Sequence, residues 1–230
     1  MHKLDDGIFV AFPTTILHKK IGNENLNEDL MRVVDELADN TPNTANPAGN
    51  WVGGNSSYGS VQSELNRFLG HNSPAVAELK QRIETSIEEY LGFEMKSIED
   101  DQKRASQKFD VEISDVKYEW YGWTVRMGKE DWQGLHIHPQ TSYSGVYYMH
   151  VPDLPYPEGA IQFVNPHPIS TAYGSGQPAG DFVQTKSGDL IIFPSWLAHL
   201  VMPFRENNDK RYCLAFNIVV EKFWSQKNEN

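Results

Sequence analysis

The sequence predicts a mainly β domain with flanking helices, arranged as a sandwich or a barrel. Its second half consists of short β-rich runs separated by Gly, Pro and Asp, with no helical pattern between them. Its first half carries apolar residues at helical spacing. Hydrophobic residues make up 39% of the 230 residues and aromatic residues 12%, which is enough to fill a core. We therefore predict one domain over 1–230, with a helical support region at 1–100 and a β core at 111–221.

Two helices are predicted in the N-terminal region. Asn27 is the expected cap of the first. Ser73 and Pro74 mark the beginning of the second, and Gly92 marks its end. The apolar stripes that define them are Leu26, Leu30, Val33, Val34 and Leu37 in the first helix, and Val76, Leu79, Ile83, Ile87, Tyr90 and Leu91 in the second. The polar, turn-rich stretch 41–60 between them predicts a long loop.

The β half contains several candidate strands with turn residues between them. They lie within 111–127, 144–151, 160–164, 181–185, 189–193 and 211–220. Short strands in this arrangement are typical of a sandwich or a barrel. We expect the helices to pack on one outer face of this β structure as a support layer.

Charge and cysteine content argue against several kinds of partner and site. A net charge of -11 disfavours binding to a nucleic-acid backbone or an anionic membrane, although a locally basic pocket can still hold a small anion. Cys213 is the only cysteine, which excludes an internal disulfide and a Cys-ligated zinc site. The sequence shows neither a signal peptide nor an apolar run long enough to span a bilayer. We expect a cytoplasmic protein (in the host cytoplasm if a phage encodes it) with a small-molecule or protein substrate, and we allow for a homodimer.

Three histidines form a candidate metal site. His136 and His138 are two residues apart, so on one strand both side chains point to the same face. His199 follows far along the chain, at the end of another β-rich run. Two ligands from one strand and a third from a neighbouring strand can hold a metal on one face and leave coordination positions open. HxH alone is weak evidence, because alternating histidines also occur on exposed strands.

Arg211 strengthens this interpretation. Strand alternation places Arg211, Cys213, Ala215 and Asn217 on one face, and the large apolar residues between them on the other. An arginine beside small side chains has room to hold a ligand carboxylate through two parallel hydrogen bonds. A surface salt bridge would explain the arginine but not its small neighbours.

These segments together resemble the 2-oxoglutarate/Fe(II)-dependent dioxygenase superfamily, and in particular a group of 2OG-Fe(II) oxygenases frequent in bacterial and phage genomes. The likeness is carried by HIHP at 136–139, SGVYYMHVP at 144–152, GDLIIFPSWLAH at 188–199 and RYCLAFN at 211–217. It covers most of the chain, since IFVAFPTTI at 8–16 and GGNSSYGS at 53–60 are also similar to that group.

The resemblance implies a double-stranded β-helix, a jelly-roll or cupin-like barrel with an N-terminal helical support layer. It implies Fe(II) as the metal, 2-oxoglutarate as co-substrate and ascorbate as a stimulant. The implied reaction hydroxylates an unidentified substrate and releases succinate and carbon dioxide. The predicted metal ligands are His136, His138 and His199, the predicted catalytic residues are these three and Arg211, and the predicted co-substrate-binding residues are Arg211, Tyr148 and Asn217.

Two positions depart from the superfamily. Most members have Asp or Glu where this chain has His138, and three imidazoles leave the iron with one more unit of positive charge. A carboxylate such as Asp131 or Asp153 is the alternative ligand, although neither has the right spacing. Cys213 stands where a hydroxyl residue is frequent, two positions after the arginine.

Two other functions stay open. The first is a cupin-type three-His metal dioxygenase that does not use 2-oxoglutarate and so has no need of Arg211. The second is a non-enzymatic jelly-roll module for binding or assembly, which predicts an occluded site. Trp123, Arg126 and the loop 41–60 are the candidates for lining the substrate pocket, though they fit packing at its rim equally well.

Overall fold

The computed structural model describes residues 14–39, 57–58, 60–104, 116–166 and 180–222. The helices in these ranges are α1 (Glu24–Asp39) and α2 (Pro74–Arg104). The strands are β1 (Leu17–Lys20), β2 (Ser57–Tyr58), β3 (Val61–Gln62), β4 (Lys117–Met127), β5 (Trp132–His136), β6 (Tyr143–His150), β7 (Ile161–Val164), β8 (Gly180–Val183), β9 (Asp189–Pro194), β10 (His199–Val201) and β11 (Arg211–Lys222).

The strands form two antiparallel sheets whose pairing is that of a double-stranded β-helix. The first sheet has the order β1-β9-β6-β11-β4-β3 and the second has the order β2-β5-β10-β7-β8. From β4 onward the chain passes back and forth between the two sheets, which is the jelly-roll arrangement. This confirms the predicted fold class. The described strands form two open sheets, however, and not a closed barrel.

The two faces of β11 show how the layers are arranged. Tyr212, Leu214, Phe216 and Ile218 pack into one apolar cluster with the buried faces of α1 and α2. Cys213 instead belongs to a second cluster, which contains residues of both sheets. The face of β11 that carries Cys213 is therefore packed between the two sheets. The helices therefore cover the outer face of the first sheet, which confirms the predicted support layer.

The cap of α1 differs from the prediction. The helix begins at Glu24, and the backbone N–H of Leu26 donates to Asn23 Oδ1 at 3.0 Å, so Asn23 is the N-cap. Asn27, the predicted cap, lies inside the first turn, where its Oδ1 accepts a hydrogen bond from the Tyr147 hydroxyl. By residue type, either asparagine could cap the helix. The hydrogen bonds that each one makes in the folded structure show that Asn23 is the cap and that Asn27 pairs with Tyr147.

The beginning of α2 is confirmed and its predicted end is wrong. Pro74 is its first residue, and the N–H of Ala77 bonds to the carbonyl of Ser73. Gly92 does not end the helix, which continues to Arg104. A glycine inside a helix costs only about 1 kcal/mol relative to alanine. The continued helix buries Met95, which is 1% exposed, and this burial offsets that cost.

Removing the cap of α1 should destabilise the protein measurably. Asn23→Ala leaves the N–H of Leu26 without its acceptor, so the free energy of unfolding should fall by about 1 kcal/mol. Urea denaturation followed by circular dichroism measures this change. Asn25→Ala is the matched control, because Asn25 is an exposed asparagine of the same first turn and the substitution is the same. Equal stability of the two variants would contradict the assignment of the cap.

Some predicted segments lie wholly or partly outside the described residues. Most of the predicted loop 41–60 is one of them. The described part of this loop includes Ser57–Tyr58, which forms β2 and pairs with β5. The β core is described from Val116, not from 111. The single domain over 1–230 therefore stays a prediction. Neither described helix combines the length and the apolar character that a bilayer crossing requires.

Candidate active site

His136 and His199 face each other across paired strands. His136 is the last residue of β5, His199 is the first of β10, and the two are direct partners in the antiparallel register. Their ring centroids are 4.2 Å apart. As expected from the sequence, His199 reaches His136 because its strand β10 pairs with β5, the strand that contains His136.

His138 reaches the same point by another route than the one predicted. It lies two residues beyond the end of β5, so the pair does not share one regular strand. Its backbone N–H donates to the carbonyl of Ser195 at 3.0 Å, which attaches it to the turn after β9. Its ring lies 5.1 Å from that of His136 and 5.3 Å from that of His199, measured between centroids. The three histidines meet because this contact with Ser195 holds His138 in place, rather than because of strand alternation.

The three rings offer one ligand nitrogen each, and these atoms all lie within 4.8 Å of one another. Nδ1 of His136 lies 2.7 Å from the carbonyl of Gly134, and Nδ1 of His199 lies 2.9 Å from that of Leu197. A carbonyl only accepts, so each Nδ1 carries the proton and each Nε2 keeps its lone pair for a metal. Such backbone contacts are what orient metal-binding histidines.

The charge state of the rings also suits a metal site. Burial lowers the pKa of His136, and burial followed by the nearby His136 lowers the pKa of His138 to about 4. Burial and the proximity of His136 lower the pKa of His199 to about 3. All three rings are therefore neutral at pH 7, as metal coordination requires.

No carboxylate joins the histidine cluster within the described ranges. Asp131, one of the two proposed alternatives, accepts a hydrogen bond from the N–H of Gly128 at 2.6 Å and so closes the turn before β5. Asp153, the other alternative, is exposed and not part of the cluster. The donor set is thus three imidazoles, which suits a divalent transition metal such as Fe(II) and leaves its charge uncompensated.

A narrow cavity between the sheets contains the three histidines, Arg211 and Tyr148 in its wall. Its volume is about 40 Å³, room for only a few water molecules at about 10–15 Å³ each. Its wall includes Met127, whose unbranched thioether can adapt to the shape of a ligand.

Arg211 is a buried cation with no anionic partner among the described residues. It is 2% exposed, and its Nη1 donates to the sulfur of Met127 at 3.4 Å. Its Nε has no hydrogen-bond partner, and no ion pair joins it to a carboxylate of the described residues. Its guanidinium carbon lies 4.9 Å from the ring centroid of Tyr148. An uncompensated buried charge is strongly unfavourable, so this arrangement is typical of a site that receives an anion.

Tyr148 lies beside Arg211 and is fully buried. Burial raises the pKa of its phenol, so the group is protonated and able to donate a hydrogen bond. Within the part of the chain that the structure describes, its hydroxyl has no hydrogen-bond partner, and neither does the buried hydroxyl of Thr185. The sequence pointed to Tyr148 but not to Thr185, because a lone threonine after a short strand carries no pattern.

Asn217 and Cys213 are on the same face of β11 as Arg211, but only Cys213 lines the cavity. Asn217 accepts a hydrogen bond from Ser144 Oγ at 2.8 Å and donates to the Tyr121 hydroxyl at 3.4 Å. It is not among the residues that line the cavity, and its role toward a co-substrate stays a prediction. Cys213 does line the cavity, and burial raises the pKa of its thiol, so it is a neutral wall residue.

Trp123 and Arg126, the two residues proposed to line a substrate pocket, lie on opposite faces of β4. Trp123 lines the cavity, with its ring centroid 6.1 Å from that of His138. Arg126 is on the opposite face of β4, where it forms a 2.8 Å ion pair with Asp35 of α1. The prediction for Arg126 is therefore wrong, because its place in the strand turns it toward the helices.

A wider groove of about 520 Å³ opens on the other side of His138. Exposed Ile137 and Trp196 line it together with Glu94. Its volume is in the range of small-molecule sites, and His138 belongs to both the groove and the cavity. The groove is thus a candidate binding surface next to the metal site that the sequence did not reveal.

Residues 121–217 match the protein family described as "Putative 2OG-Fe(II) oxygenase". The matched segment contains the three clustered histidines and Arg211. No curated protein matches the chain.

Several solved structures share the fold at low sequence identity. A prolyl hydroxylase from Trichoplax adhaerens, in complex with a hypoxia inducible factor peptide, is 13% identical with a TM-score of 0.57, covering 90% of this chain and 84% of that chain. HygX from Streptomyces hygroscopicus, with nickel and 2-oxoglutarate bound, is 15% identical with a TM-score of 0.56, covering 94% and 87%. A prolyl-4-hydroxylase from Pseudomonas putida is 12% identical with a TM-score of 0.51, covering 90% and 93%. Identities this low show a shared fold and nothing about the substrate.

Proposed function

We propose that this chain is a 2OG-Fe(II) oxygenase, the family that residues 121–217 match, and that it hydroxylates a C–H bond of a substrate not yet identified. It is an oxidoreductase whose metal is Fe(II) and whose co-substrate is 2-oxoglutarate. In the proposed reaction, 2-oxoglutarate and dioxygen yield succinate and carbon dioxide, and the C–H bond becomes C–OH. One oxygen atom enters succinate and the other enters the hydroxyl group.

The residues that would hold Fe(II) are His136, His138 and His199. Bound iron with 2-oxoglutarate supplies the oxidative decarboxylation that activates dioxygen. His136 and His199 present Nε2, since backbone carbonyls hold their Nδ1 protons. Because all three ligands are neutral, the site keeps the full charge of the ion and attracts the oxygens of a keto acid strongly.

The observation that carries this proposal is the buried guanidinium of Arg211 in the wall of the cavity that also contains the histidines. A dicarboxylate chelated at one end by the metal presents its other carboxylate to such a group. Arg211 can meet it with two parallel N–H donors, and the Tyr148 hydroxyl can add a third. These contacts would hold the co-substrate in one orientation beside the metal.

The alternative of a three-His oxygenase that does not use 2-oxoglutarate explains the histidines equally well. It leaves the buried charge of Arg211 without a function, however. The geometry therefore favours 2-oxoglutarate. We further propose that the prime substrate approaches along the groove beside His138, since this groove borders the metal site.

Slow turnover of the co-substrate alone tests the proposed reaction. Purified protein with Fe(II), ascorbate and 2-oxoglutarate labelled at C1 should release labelled carbon dioxide and form succinate in equal amounts. His199→Ala is the matched control, because it keeps Arg211 and removes a metal ligand. Equal release from the two proteins would sink the proposal.

A further inference from the structure

Thr185 has a buried hydroxyl that the proposed reaction does not use. The residue follows β8 and precedes β9, and it is 3% exposed. Its Oγ1 has no hydrogen-bond partner among the described residues. A buried hydroxyl that makes no hydrogen bond is costly, so its presence calls for a physical reason.

Three such atoms occur together. Thr185 and Arg211 both lie close to the Tyr148 phenol and lower its pKa, against the larger raising effect of burial. Both groups act on that pKa as hydrogen-bond donors to the phenol oxygen. Within the described residues, however, Oγ1 of Thr185, the Tyr148 hydroxyl and Nε of Arg211 all lack a hydrogen bond of full geometry. Tyr148 and Arg211 line the cavity, whereas Thr185 is not among the lining residues. The segment that follows Thr185 lies against Tyr148, since the N–H of Gly188 donates to the Tyr148 carbonyl at 2.7 Å. Thr185 is therefore placed beside Tyr148 and outside the lining of the cavity.

The hydrogen-bond donors and acceptors of these three side chains match a chain of hydrogen bonds that ends on a bound carboxylate. Nε of Arg211 only donates, while each hydroxyl donates once and also accepts. A carboxylate in the cavity would accept from Nε of Arg211 and from the Tyr148 hydroxyl. The oxygen of that phenol would then still accept, and the Thr185 hydroxyl is the nearby donor that can meet it. Successive hydrogen bonds of this kind strengthen one another.

We propose that Thr185 is a positioning residue that donates its hydroxyl proton to the Tyr148 oxygen and so aims the phenol proton at the far carboxylate of 2-oxoglutarate. This inference rests on the proposed function, because it assumes that 2-oxoglutarate occupies the cavity. It adds to that function a residue outside the cavity that raises affinity for the dicarboxylate through Tyr148.

Affinity for two keto acids tests the inference. Anaerobic titration of the Fe(II) protein gives the dissociation constants of 2-oxoglutarate and of 2-oxopentanoate, which has the same chain length without the far carboxylate. Thr185→Val removes only the hydroxyl and should weaken 2-oxoglutarate binding about five- to tenfold. It should leave 2-oxopentanoate unchanged. Thr185→Ser should bind 2-oxoglutarate like the wild type.

A double-mutant cycle shows whether Thr185 acts through the phenol. Tyr148→Phe alone should weaken 2-oxoglutarate binding about ten- to a hundredfold. Adding Thr185→Val to Tyr148→Phe should weaken it no further. Thr124→Val is the matched control, because Thr124 is also buried but lies on the alternate face of β4 from the cavity-lining Trp123 and Val125. The apoprotein of Thr185→Val should be at least as stable as the wild type, since the lost hydroxyl has no partner.

Three outcomes would overturn the inference. Wild-type affinity of Thr185→Val for 2-oxoglutarate is the first. Equal weakening for both keto acids is the second, since it indicates a general structural effect. Multiplying effects of Thr185→Val and Tyr148→Phe are the third, since they indicate independent action. Failure of the wild type to bind 2-oxoglutarate is a separate result, which removes the proposed function and this inference with it.

Discussion

Replacing Arg211 with alanine should weaken 2-oxoglutarate binding by at least tens-fold and leave Fe(II) binding nearly unchanged. The substitution would leave the far carboxylate buried without its partner, which typically costs about 2–5 kcal/mol, or roughly 30- to several-thousand-fold in affinity. Arg211→Lys should give an intermediate affinity, because a point charge keeps the attraction and loses the two parallel hydrogen bonds. The visible charge-transfer band expected when a keto acid chelates Fe(II) provides the anaerobic titration.

Arg211→Met separates the binding role from packing. It fills much of the same space, and it removes a buried charge that has no anion in the described structure. The apoprotein should therefore be as stable as the wild type or more stable, while 2-oxoglutarate binding is lost. Arg126→Ala is the control, because Arg126 pairs with Asp35 on the helix side of the sheet and should not affect binding. Identical titrations of wild type and Arg211→Ala would favour the oxygenase that does not use 2-oxoglutarate.

Removing any one of the three histidines should abolish stoichiometric Fe(II) binding. Loss of a group that only supports a ligand typically weakens a metal site about 10–100-fold, and loss of a ligand should exceed this. Iron per chain after anaerobic reconstitution and desalting measures the effect on His136→Ala, His138→Ala and His199→Ala. Circular dichroism checks that each variant is folded.

His138 is the most informative of the three, because most relatives of the superfamily have a carboxylate at its position. His138→Asp should retain iron, since an aspartate can supply one ligand oxygen from the same position. His150→Ala is the matched control, because Nε2 of His150 contacts Asp209 Oδ2 at 2.8 Å, outside the cluster. Full iron occupancy in His138→Ala would show that this residue is not a ligand.

The two faces of β11 and the beginning of α2 could be predicted from local sequence patterns. The alternation of β11 separates Arg211 and Cys213 from Tyr212 and Leu214, and the structure buries these pairs on opposite faces of the sheet. Such predictions succeed because the two-residue repeat of a strand is a property of the backbone itself. The beginning of α2 at Pro74 was predictable for a similar reason, since the fixed backbone angle of proline suits the first turn.

Other features depended on contacts between segments far apart in the sequence. Asn27 looked like a cap, and its contact with Tyr147 makes it a buried acceptor instead. Arg126 looked like a pocket residue, and Asp35 of α1 holds it on the other face. Thr185 gave no signal, because its role depends on the distant Tyr148 and Arg211. Only the packing of the chain brings each of these residues to its partner.

The sequence by itself determined the fold class, the strand that presents Arg211, and the histidines that can bind a metal. Each of these follows from residue type and short-range spacing, which act before the chain is packed. Only the tertiary structure decided that His138 joins the site from beyond the end of β5. It also decided that, within the described residues, Arg211 is buried without an anion and the hydroxyls of Tyr148 and Thr185 lack partners. Burial and hydrogen bonding depend on which segments meet, and that is set by the pairing of the two sheets.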